Sequence, residues 1–234
     1  NYFGYIALAQ AVSLPVSTYE ADHFHVKAAN LEKYITDKTR MVIINSPCNP
    51  TGSVTPKEDL IEIAGLAKKH NLIVVADEPY EHILFDGSEH FSIASLPGMF
   101  ERTITANGFS KTYAMTGWRI GYGVAEEDVV KAMTLVLAST TSNVTAAVQL
   151  AAVEALQGSQ ECVASMNAEY LKRRDILVLG LNEVKGISCI KPEGAFYAFA
   201  NIQGTGMTSK EVAIKLLEDV QVVTTPGDAF GPAG

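Results

Sequence analysis

The sequence predicts an α/β fold built on a mainly parallel sheet, and three neighbouring segments carry that prediction. Residues 41–45 and 72–76 are continuous apolar runs of strand length. Between them, residues 56–69 show the apolar spacing of an amphipathic helix, with Pro56 at the predicted first helical position. A strand, a helix and a second strand in this order form a parallel pair with a right-handed crossover.

The helix of this unit carries start and stop signals. Thr55 and Glu58 have the spacing of a capping box at its beginning. Basic residues suit its negative C-terminal end, and Asn71 can take a left-handed cap. The predicted buried face consists of Leu60, Ile63, Ala64 and Ala67.

The remaining elements follow from similar patterns. Strands are predicted at residues 12–17, 103–107 and 120–124. Helices are predicted at residues 30–35 (capped by Asn30), 126–138, 144–156 and 160–181. After Gly186 the pattern changes to short strands at 188–191, 195–201 and 222–224, with a helix that begins at a capping box formed by Thr208 and Glu211. This change predicts a second, smaller α+β domain.

The composition narrows the class of protein. The chain has 234 residues, of which 47% are hydrophobic and 19% charged, and its formal net charge is −8. This acidic balance argues against nucleic acid or an anionic membrane as the main partner. The sequence shows no long uncharged apolar run and no basic segment followed by an apolar one at its start, so we expect a cytoplasmic protein.

Cysteines and histidines do not show the spacing of a metal site. Cys48, Cys162 and Cys189 are far apart in the sequence and include no C-x-x-C pair. The five histidines form no i, i+4 pair with a glutamate between them. We therefore predict reduced cysteines and no bound metal.

One stretch, NGFSKTYAMTGWRIGYG at residues 107–123, suggests a site for a phosphorylated aldehyde. Within it Lys111 directly follows Ser110, and Arg119 lies eight residues further on. A lysine amine attacks carbonyl carbons, whereas a planar guanidinium suits phosphate oxygens. The aldehyde and the phosphate arm of pyridoxal phosphate leave adjacent ring atoms, so neighbouring residues can serve both groups. A solvated surface turn is the alternative that this segment alone leaves open.

A second group of polar residues follows the two strands of the strand-helix-strand unit. Asn49 comes after the first strand and Asp77 directly after the second, so both are predicted at the edge where open α/β sheets bind ligands. Asp77 could keep a pyridine nitrogen protonated, and Tyr80 and Asn49 could donate to the ring hydroxyl. Alone, Asp77 could be an ordinary acidic strand end. Together with Lys111, it gives each substituent of the pyridoxal ring a candidate partner.

Four motifs match one known family in order and spacing. They are NPTG at 49–52, DEPY at 77–80, SKTYAMTGWR at 110–119 and KPEGAFY at 191–197. Across nearly the whole chain the sequence resembles the fold-type I aminotransferases of the aspartate and aromatic aminotransferase class. The resemblance implies a three-layer α/β fold, with a mainly parallel sheet and helices on both of its faces, plus part of a smaller α+β domain.

The resemblance also implies the catalytic roles. Lys111 is the Schiff-base lysine for pyridoxal 5'-phosphate, and Asp77 is the partner of the pyridinium nitrogen. Tyr80 and Asn49 are the partners of the ring hydroxyl. The same resemblance implies a cis peptide bond between Asn49 and Pro50, for which a tertiary amide lowers the cost.

The remaining cofactor contacts follow in the same way. Ser110 and Arg119 correspond to phosphate ligands, and Tyr2 falls where the family has an aromatic ring stacked on the cofactor. An earlier glycine-containing phosphate loop and a late arginine for the substrate carboxylate are not in these residues. We therefore expect part of a longer protein, with residues 1–169 in the cofactor domain and residues 170–234 in the small domain.

The implied activity is transfer of an amino group between an L-amino acid and a 2-oxo acid by a homodimer. β-Lyases and aminocyclopropane-carboxylate synthases share the same residues, because a fold does not fix the reaction outcome. An aminotransferase-like effector domain of a transcription regulator is a further alternative from a different class. Product analysis separates the enzymes, and the start of the full-length gene would reveal a DNA-binding domain.

Overall fold

A computed structural model describes residues 2–231 and contains the predicted α/β sheet. Its four strands are hydrogen-bonded in chain order, namely β1 (Met41–Asn45), β2 (Ile73–Asp77), β3 (Thr103–Gly108) and β4 (Gly121–Val124). The first three strands are parallel, and β4 is antiparallel to β3. The prediction of a mainly parallel sheet is confirmed.

Besides short 3₁₀ turns, the described part of the chain contains eight α-helices and a small two-stranded sheet. The helices are α1 (Tyr2–Leu8), α2 (Ala28–Glu32), α3 (Lys57–Lys69), α4 (Phe109–Thr112), α5 (Glu127–Thr140), α6 (Ala146–Gln157), α7 (Glu161–Glu183) and α8 (Ser209–Val220). The small sheet pairs β5 (Ser188–Cys189) with β6 (Ala200–Asn201) in antiparallel fashion. Within residues 2–231, no helix combines the length and the apolar character needed to cross a membrane.

The main core lies between α3 and the parallel strands. The predicted face of α3 is buried, and Ile63 at its centre has no exposed surface. It packs in one apolar cluster with Ile44 of β1 and with Val74 and Ala76 of β2. Burial of this face fixes the helix against the sheet, since removal of apolar surface from water is the main favourable term.

The predicted capping box of α3 is wrong, although the predicted end of the helix is right. Thr55 is almost fully buried, and its backbone N–H donates to Ser46 Oγ at 2.9 Å. The residue before the helix is Pro56, and no side chain caps the helix. Thr55 is therefore held by the loop after β1 rather than by the helix. At the other end, Asn71 adopts the predicted left-handed conformation, with φ of 48°.

Two predicted strands are absent from the described chain. Residues 12–17 and 222–224 have no extended partner, so their apolar residues do not enter a sheet. The short helix predicted at 30–35 begins earlier, at Ala28, and Asn30 lies inside it with its side chain bonded to Lys33. The local pattern identified apolar segments here but not the partners that strands require.

The last third of the described chain follows the predicted order with shorter strands. The strand predicted at 195–201 is reduced to β6, and at its predicted start Ala195 has a φ of 57°, outside the extended region of a strand. The capping box of α8 is confirmed, with Thr208 and Glu211 each bonded to the other's backbone N–H. The predicted domain boundary falls inside α7, and the division at residue 170 stays a prediction.

The segment 192–197 packs against the loops that follow β1 and β2. The Gly52 carbonyl accepts hydrogen bonds from the N–H groups of Glu193 and Gly194, at 3.0 and 2.8 Å. The Ala195 N–H donates to the Ile83 carbonyl at 2.8 Å. These contacts bring a distant part of the chain to the edge of the sheet.

Replacement of Gly52 by alanine should destabilise the fold. Its φ is 70°, and a Cβ there would lie 2.5 Å from Pro192 Cβ. We expect the free energy of unfolding to fall by about 1–3 kcal/mol. Gly65 is the matched control, since it lies exposed in α3 and a Cβ added there would have nothing within 4 Å, and Gly65→Ala should add about 0.5–1 kcal/mol. Urea unfolding of both variants measures the difference, and equal stabilities would contradict this account of Gly52.

Candidate active site

All the predicted site residues of the sheet lie at one edge. Because β1, β2 and β3 are parallel, their carboxyl ends meet, with Asn45 opposite Asp77 and Asp77 opposite Ala106. The loop after β1 carries Asn49, and β3 leads directly into α4 with Lys111. This is the edge at which open α/β sheets bind ligands.

Asp77 is a half-buried carboxylate at the end of β2. Asn45 Nδ2 donates to the Asp77 backbone carbonyl at 2.9 Å and lies 3.5 Å from Oδ2, and the Tyr2 hydroxyl donates to the same Oδ2. Burial raises the pKa of Asp77, the hydrogen bond from Tyr2 lowers it in part, and the charge of Glu78 raises it further. A cationic N–H donor at this carboxylate would therefore stabilise its charged form.

Tyr2 reaches the site from α1. Burial, followed by its hydrogen bond to Asp77, raises the pKa of the Tyr2 phenol, so the hydroxyl is a donor at neutral pH. The structure thus places Tyr2 beside the candidate cofactor residues. Its predicted role as a ring stacked on the cofactor stays a prediction.

Tyr80, Asn49 and Tyr197 form a hydrogen-bonded group. The hydroxyl oxygens of Tyr80 and Tyr197 are 2.5 Å apart, and Asn49 Nδ2 donates to the Tyr197 hydroxyl at 3.1 Å. Burial and the contact with Tyr197 raise the pKa of Tyr80. The peptide bond between Asn49 and Pro50 is cis, which confirms that prediction.

Lys111 points its amine toward two aromatic rings. Its Nζ lies 5.9 Å from the centroid of Tyr80 and 5.5 Å from that of Phe196. Among residues 2–231, no carboxylate lies within ion-pair distance of this amine. The amine is therefore available to a ligand.

Ser110 and Arg119 lie close in sequence to the end of β3 and the start of β4, which pair in antiparallel fashion. Gly108 lies opposite Gly121, and the Phe109 N–H bonds to the Ile120 carbonyl; Ser110 is the residue after Phe109, and Arg119 is the residue before Ile120. Arg119 Nη1 donates to the Thr116 carbonyl at 2.9 Å. Its other guanidinium N–H groups make no hydrogen bond with the described residues, which leaves them for an anion.

Two site residues had no predicted role. Tyr197 lies in the KPEGAFY motif, but its position far along the chain gave no sign that it contacts Tyr80. Asn45 is a polar residue at the end of an apolar strand. Its position at the carboxyl end of β1 is the sequence signal from which a role in the site could have been predicted. Its side chain joins the loop after β1 to the end of β2, because Oδ1 accepts from the Asn49 N–H at 2.7 Å while Nδ2 donates to the Asp77 carbonyl.

The donor and acceptor set fits pyridoxal phosphate. An amine without an anionic partner, at Lys111, lies beside the hydroxyl donors of Tyr80 and its neighbours. A carboxylate without a cationic partner, at Asp77, lies on an adjacent strand. A guanidinium that uses only Nη1 for a hydrogen bond with the described residues, at Arg119, matches a phosphate. These are the complements of an aldehyde, a pyridine nitrogen and a phosphate group.

A second cluster, which begins at the residue after Asp77, contains Glu78, Glu81 and His90, whose ligand atoms lie within 4.8 Å of one another. His90 Nε2 is 3.2 Å from Glu78 Oε2, and Asn107 Nδ2 donates to Glu81 Oε1 at 2.5 Å. The prediction that the chain holds no metal stays a prediction.

Comparison with known sequences gives one consistent result. The family described as "Aminotransferase class I and II" matches residues 1–233. The aspartate aminotransferase of Pyrococcus abyssi is 47% identical over 236 residues, which cover 100% of this chain and 60% of that protein. The aromatic-amino-acid aminotransferase 2 of Thermococcus litoralis is 46% identical with the same coverage. The chain thus spans about 60% of the length of the curated relatives it matches.

Solved structures agree with the sequence comparison. The aromatic aminotransferase from Pyrococcus horikoshii superposes with a TM-score of 0.97 at 47% identity, covering 100% of this chain and 62% of that one. The aspartate aminotransferase from Rhizobium meliloti gives a TM-score of 0.93 at 36% identity, covering 98% and 60%. The strand order and the edge that carries the site residues thus belong to a known architecture.

Replacement of Asp77 by asparagine should stabilise the cofactor-free protein at neutral pH. Burial raises the pKa of Asp77 above its ordinary 3.8, so its contribution to stability is present below that value and is lost as the pH rises through the raised pKa. Asparagine removes the buried charge and keeps an acceptor oxygen. We expect the urea midpoint of Asp77→Asn to exceed that of the wild type at pH 7, with a gain that shrinks toward pH 3.8.

The exposed Asp37 provides the control for this experiment. Asp37→Asn should shift the urea midpoint little at either pH, since an exposed carboxylate has no burial cost. A lower midpoint for Asp77→Asn than for the wild type at pH 7 would show that the Asp77 charge is already compensated in the cofactor-free protein.

Proposed function

Because the chain belongs to the aminotransferase class I and II family, we propose that the protein is a pyridoxal-phosphate-dependent aminotransferase. It would move an amino group between an L-amino acid and a 2-oxo acid. The observation that carries the proposal is the position of the Lys111 amine, unpaired within the described chain and beside the linked hydroxyl groups of Tyr80 and Tyr197.

Bound pyridoxal phosphate supplies an aldehyde for covalent attachment and a ring that accepts the electron pair of a broken Cα–H bond. Lys111 is the residue that would hold the aldehyde carbon and, as a free amine, take the proton from the substrate Cα. Asp77 would hold the proton on the pyridine nitrogen, because its carboxylate lacks a cationic partner in the described chain.

Other side chains would orient the cofactor. Tyr80 and Asn49 offer an O–H and an N–H toward the ring hydroxyl. Ser110 and Arg119 offer a hydroxyl and a planar guanidinium to the phosphate oxygens. This division leaves the Lys111 amine as the group that moves protons, while the remaining residues hold the ring in position for it.

We further propose a homodimer in the cytoplasm. Large apolar side chains are exposed on α5 and α6, among them Leu135, Val136 and Leu150. Exposed apolar surface of this kind supports association with a second copy. Cys48, Cys162 and Cys189 are free thiols, which agrees with a reducing compartment.

The proposed activity is tested with a panel of amino donors. Because relatives are named aspartate and aromatic-amino-acid aminotransferases, the panel should contain aspartate, phenylalanine and tyrosine, with 2-oxoglutarate as acceptor. We expect at least one donor to yield glutamate and its own 2-oxo acid in equal amounts. Ammonia and pyruvate formed without glutamate from an amino acid that carries a β-leaving group would instead identify a β-lyase, and a cyclopropane product from an amino acid that carries a γ-leaving group would identify a synthase.

Lys111 should be the residue that carries the cofactor covalently. Borohydride reduction of the cofactor-loaded protein, followed by digestion and mass spectrometry, should find the pyridoxyl group on the peptide that contains Lys111. Lys111→Ala should lose this label and reduce turnover by at least about a hundredfold, since proton transfer by a positioned base contributes about 10²–10⁴. Lys131, an exposed lysine of α5, serves as the control through Lys131→Ala. A label on any other lysine would overturn the assignment.

A further inference from the structure

The Tyr197 hydroxyl lies between two groups proposed to contact the cofactor ring. It is 2.5 Å from the Tyr80 hydroxyl and 3.1 Å from Asn49 Nδ2. Its ring packs edge-on against Tyr80, with centroids 5.6 Å apart, and against Phe196 at 4.9 Å. These contacts hold the Tyr197 hydroxyl in one place.

The direction of these hydrogen bonds follows from the number of protons. Asn49 Nδ2 carries only donors, so the Tyr197 oxygen must accept from it. Each phenol has one proton, and only one proton can occupy the contact between the two hydroxyl oxygens. If Tyr197 donates to Tyr80, the Tyr80 proton is free to point elsewhere. If Tyr80 donates to Tyr197, no proton of Tyr80 remains for a ligand.

We propose that Tyr197 is a positioning residue that donates to Tyr80 and thereby turns the Tyr80 proton toward the ring hydroxyl of pyridoxal phosphate. This inference rests on the proposed function. It gives the KPEGAFY motif, through Tyr197, a role in orienting a residue that contacts the cofactor. The hydrogen bonds would run from Asn49 to Tyr197, from Tyr197 to Tyr80, and from Tyr80 to the ring oxygen. Each donor in such a chain polarises the next one and strengthens it.

The chain of donors has a spectroscopic consequence. A donor that bonds the ring oxygen stabilises the negative charge of that oxygen. The proton that the oxygen shares with the nitrogen of Lys111 is therefore lost at a lower pH. Loss of the Tyr197 hydroxyl weakens this donor and should raise the pH at which the visible absorbance of the bound cofactor changes. The charged groups that face Tyr80 are Asp77 and Lys111, and both stay unchanged in the variants.

The test compares Tyr197→Phe with Tyr170→Phe in the cofactor-loaded protein, expressed at the full length of its gene. Tyr197→Phe keeps the ring and should raise the midpoint of the absorbance titration by about 0.1–0.6 pH unit, because loss of the previous donor weakens the hydrogen bond to the ring oxygen by about 10–30%. Tyr170 stacks on Phe196 at 5.3 Å, and its hydroxyl makes no hydrogen bond with the described residues. Its variant should keep the wild-type midpoint. An unchanged midpoint in Tyr197→Phe, or equal shifts in both variants, would overturn the proposal.

A double variant tests whether Tyr197 acts through Tyr80. In a Tyr80→Phe background the donor to the ring is already absent, so adding Tyr197→Phe should shift the midpoint by less than about a third of its effect in the wild type. A full additional shift would mean that Tyr197 acts by another route, and would refute the relay. If the wild type itself gains no visible absorbance with the cofactor, the proposed function fails, and that result is distinct from failure of the relay.

Discussion

The parallel pairing of β1, β2 and β3 is the constraint on which the rest of the site depends. Its register sets Asn45 opposite Asp77, and it brings the loops after three strands to one edge of the sheet. A shift by one residue would reverse the face of each side chain in the shifted strand. The buried face of α3 supports this register, since Ile63 packs in one apolar cluster with Ile44 of β1 and Val74 of β2. The position of the polar residues is thus a product of apolar packing elsewhere.

The charged side chains of the candidate site at this edge have no oppositely charged partner within the described residues, which leaves them available to a ligand. Within residues 2–231, Lys111 lacks an anionic partner, Arg119 bonds only a carbonyl, and Asp77 is held by neutral donors. Away from this edge, by contrast, the buried Arg174 forms ion pairs with Asp86 and Asp175. Unpaired charges in fixed positions cost stability, and such a cost is common where a site is preorganised.

The sequence allowed the sheet and most of the candidate site to be predicted, because both depend on local patterns. The runs at β1 and β2 are apolar and short, and the residues after them are polar, so Asn49 and Asp77 could be placed from the sequence. The segments 12–17 and 222–224 have similar local patterns, but a strand also needs a partner, which no local pattern reveals. Tyr197 was missed for the related reason that its contacts with Asn49 and Tyr80 span 148 and 117 positions.

The hydrogen bonds from Glu193 and Gly194 to the Gly52 carbonyl imply that the site edge of the sheet is completed late in folding. During synthesis the chain emerges from its N-terminal side, and contacts between residues close in sequence form before distant ones. The strands and α3 can therefore associate while the segment from Pro192 onward is still inside the ribosome. The Gly52 carbonyl gains its hydrogen bonds only when Glu193 and Gly194, some 140 residues further along the chain, have been synthesised. Until they dock, the Gly52 carbonyl and the Tyr80 ring lack the partners that residues 193–197 provide in the folded protein.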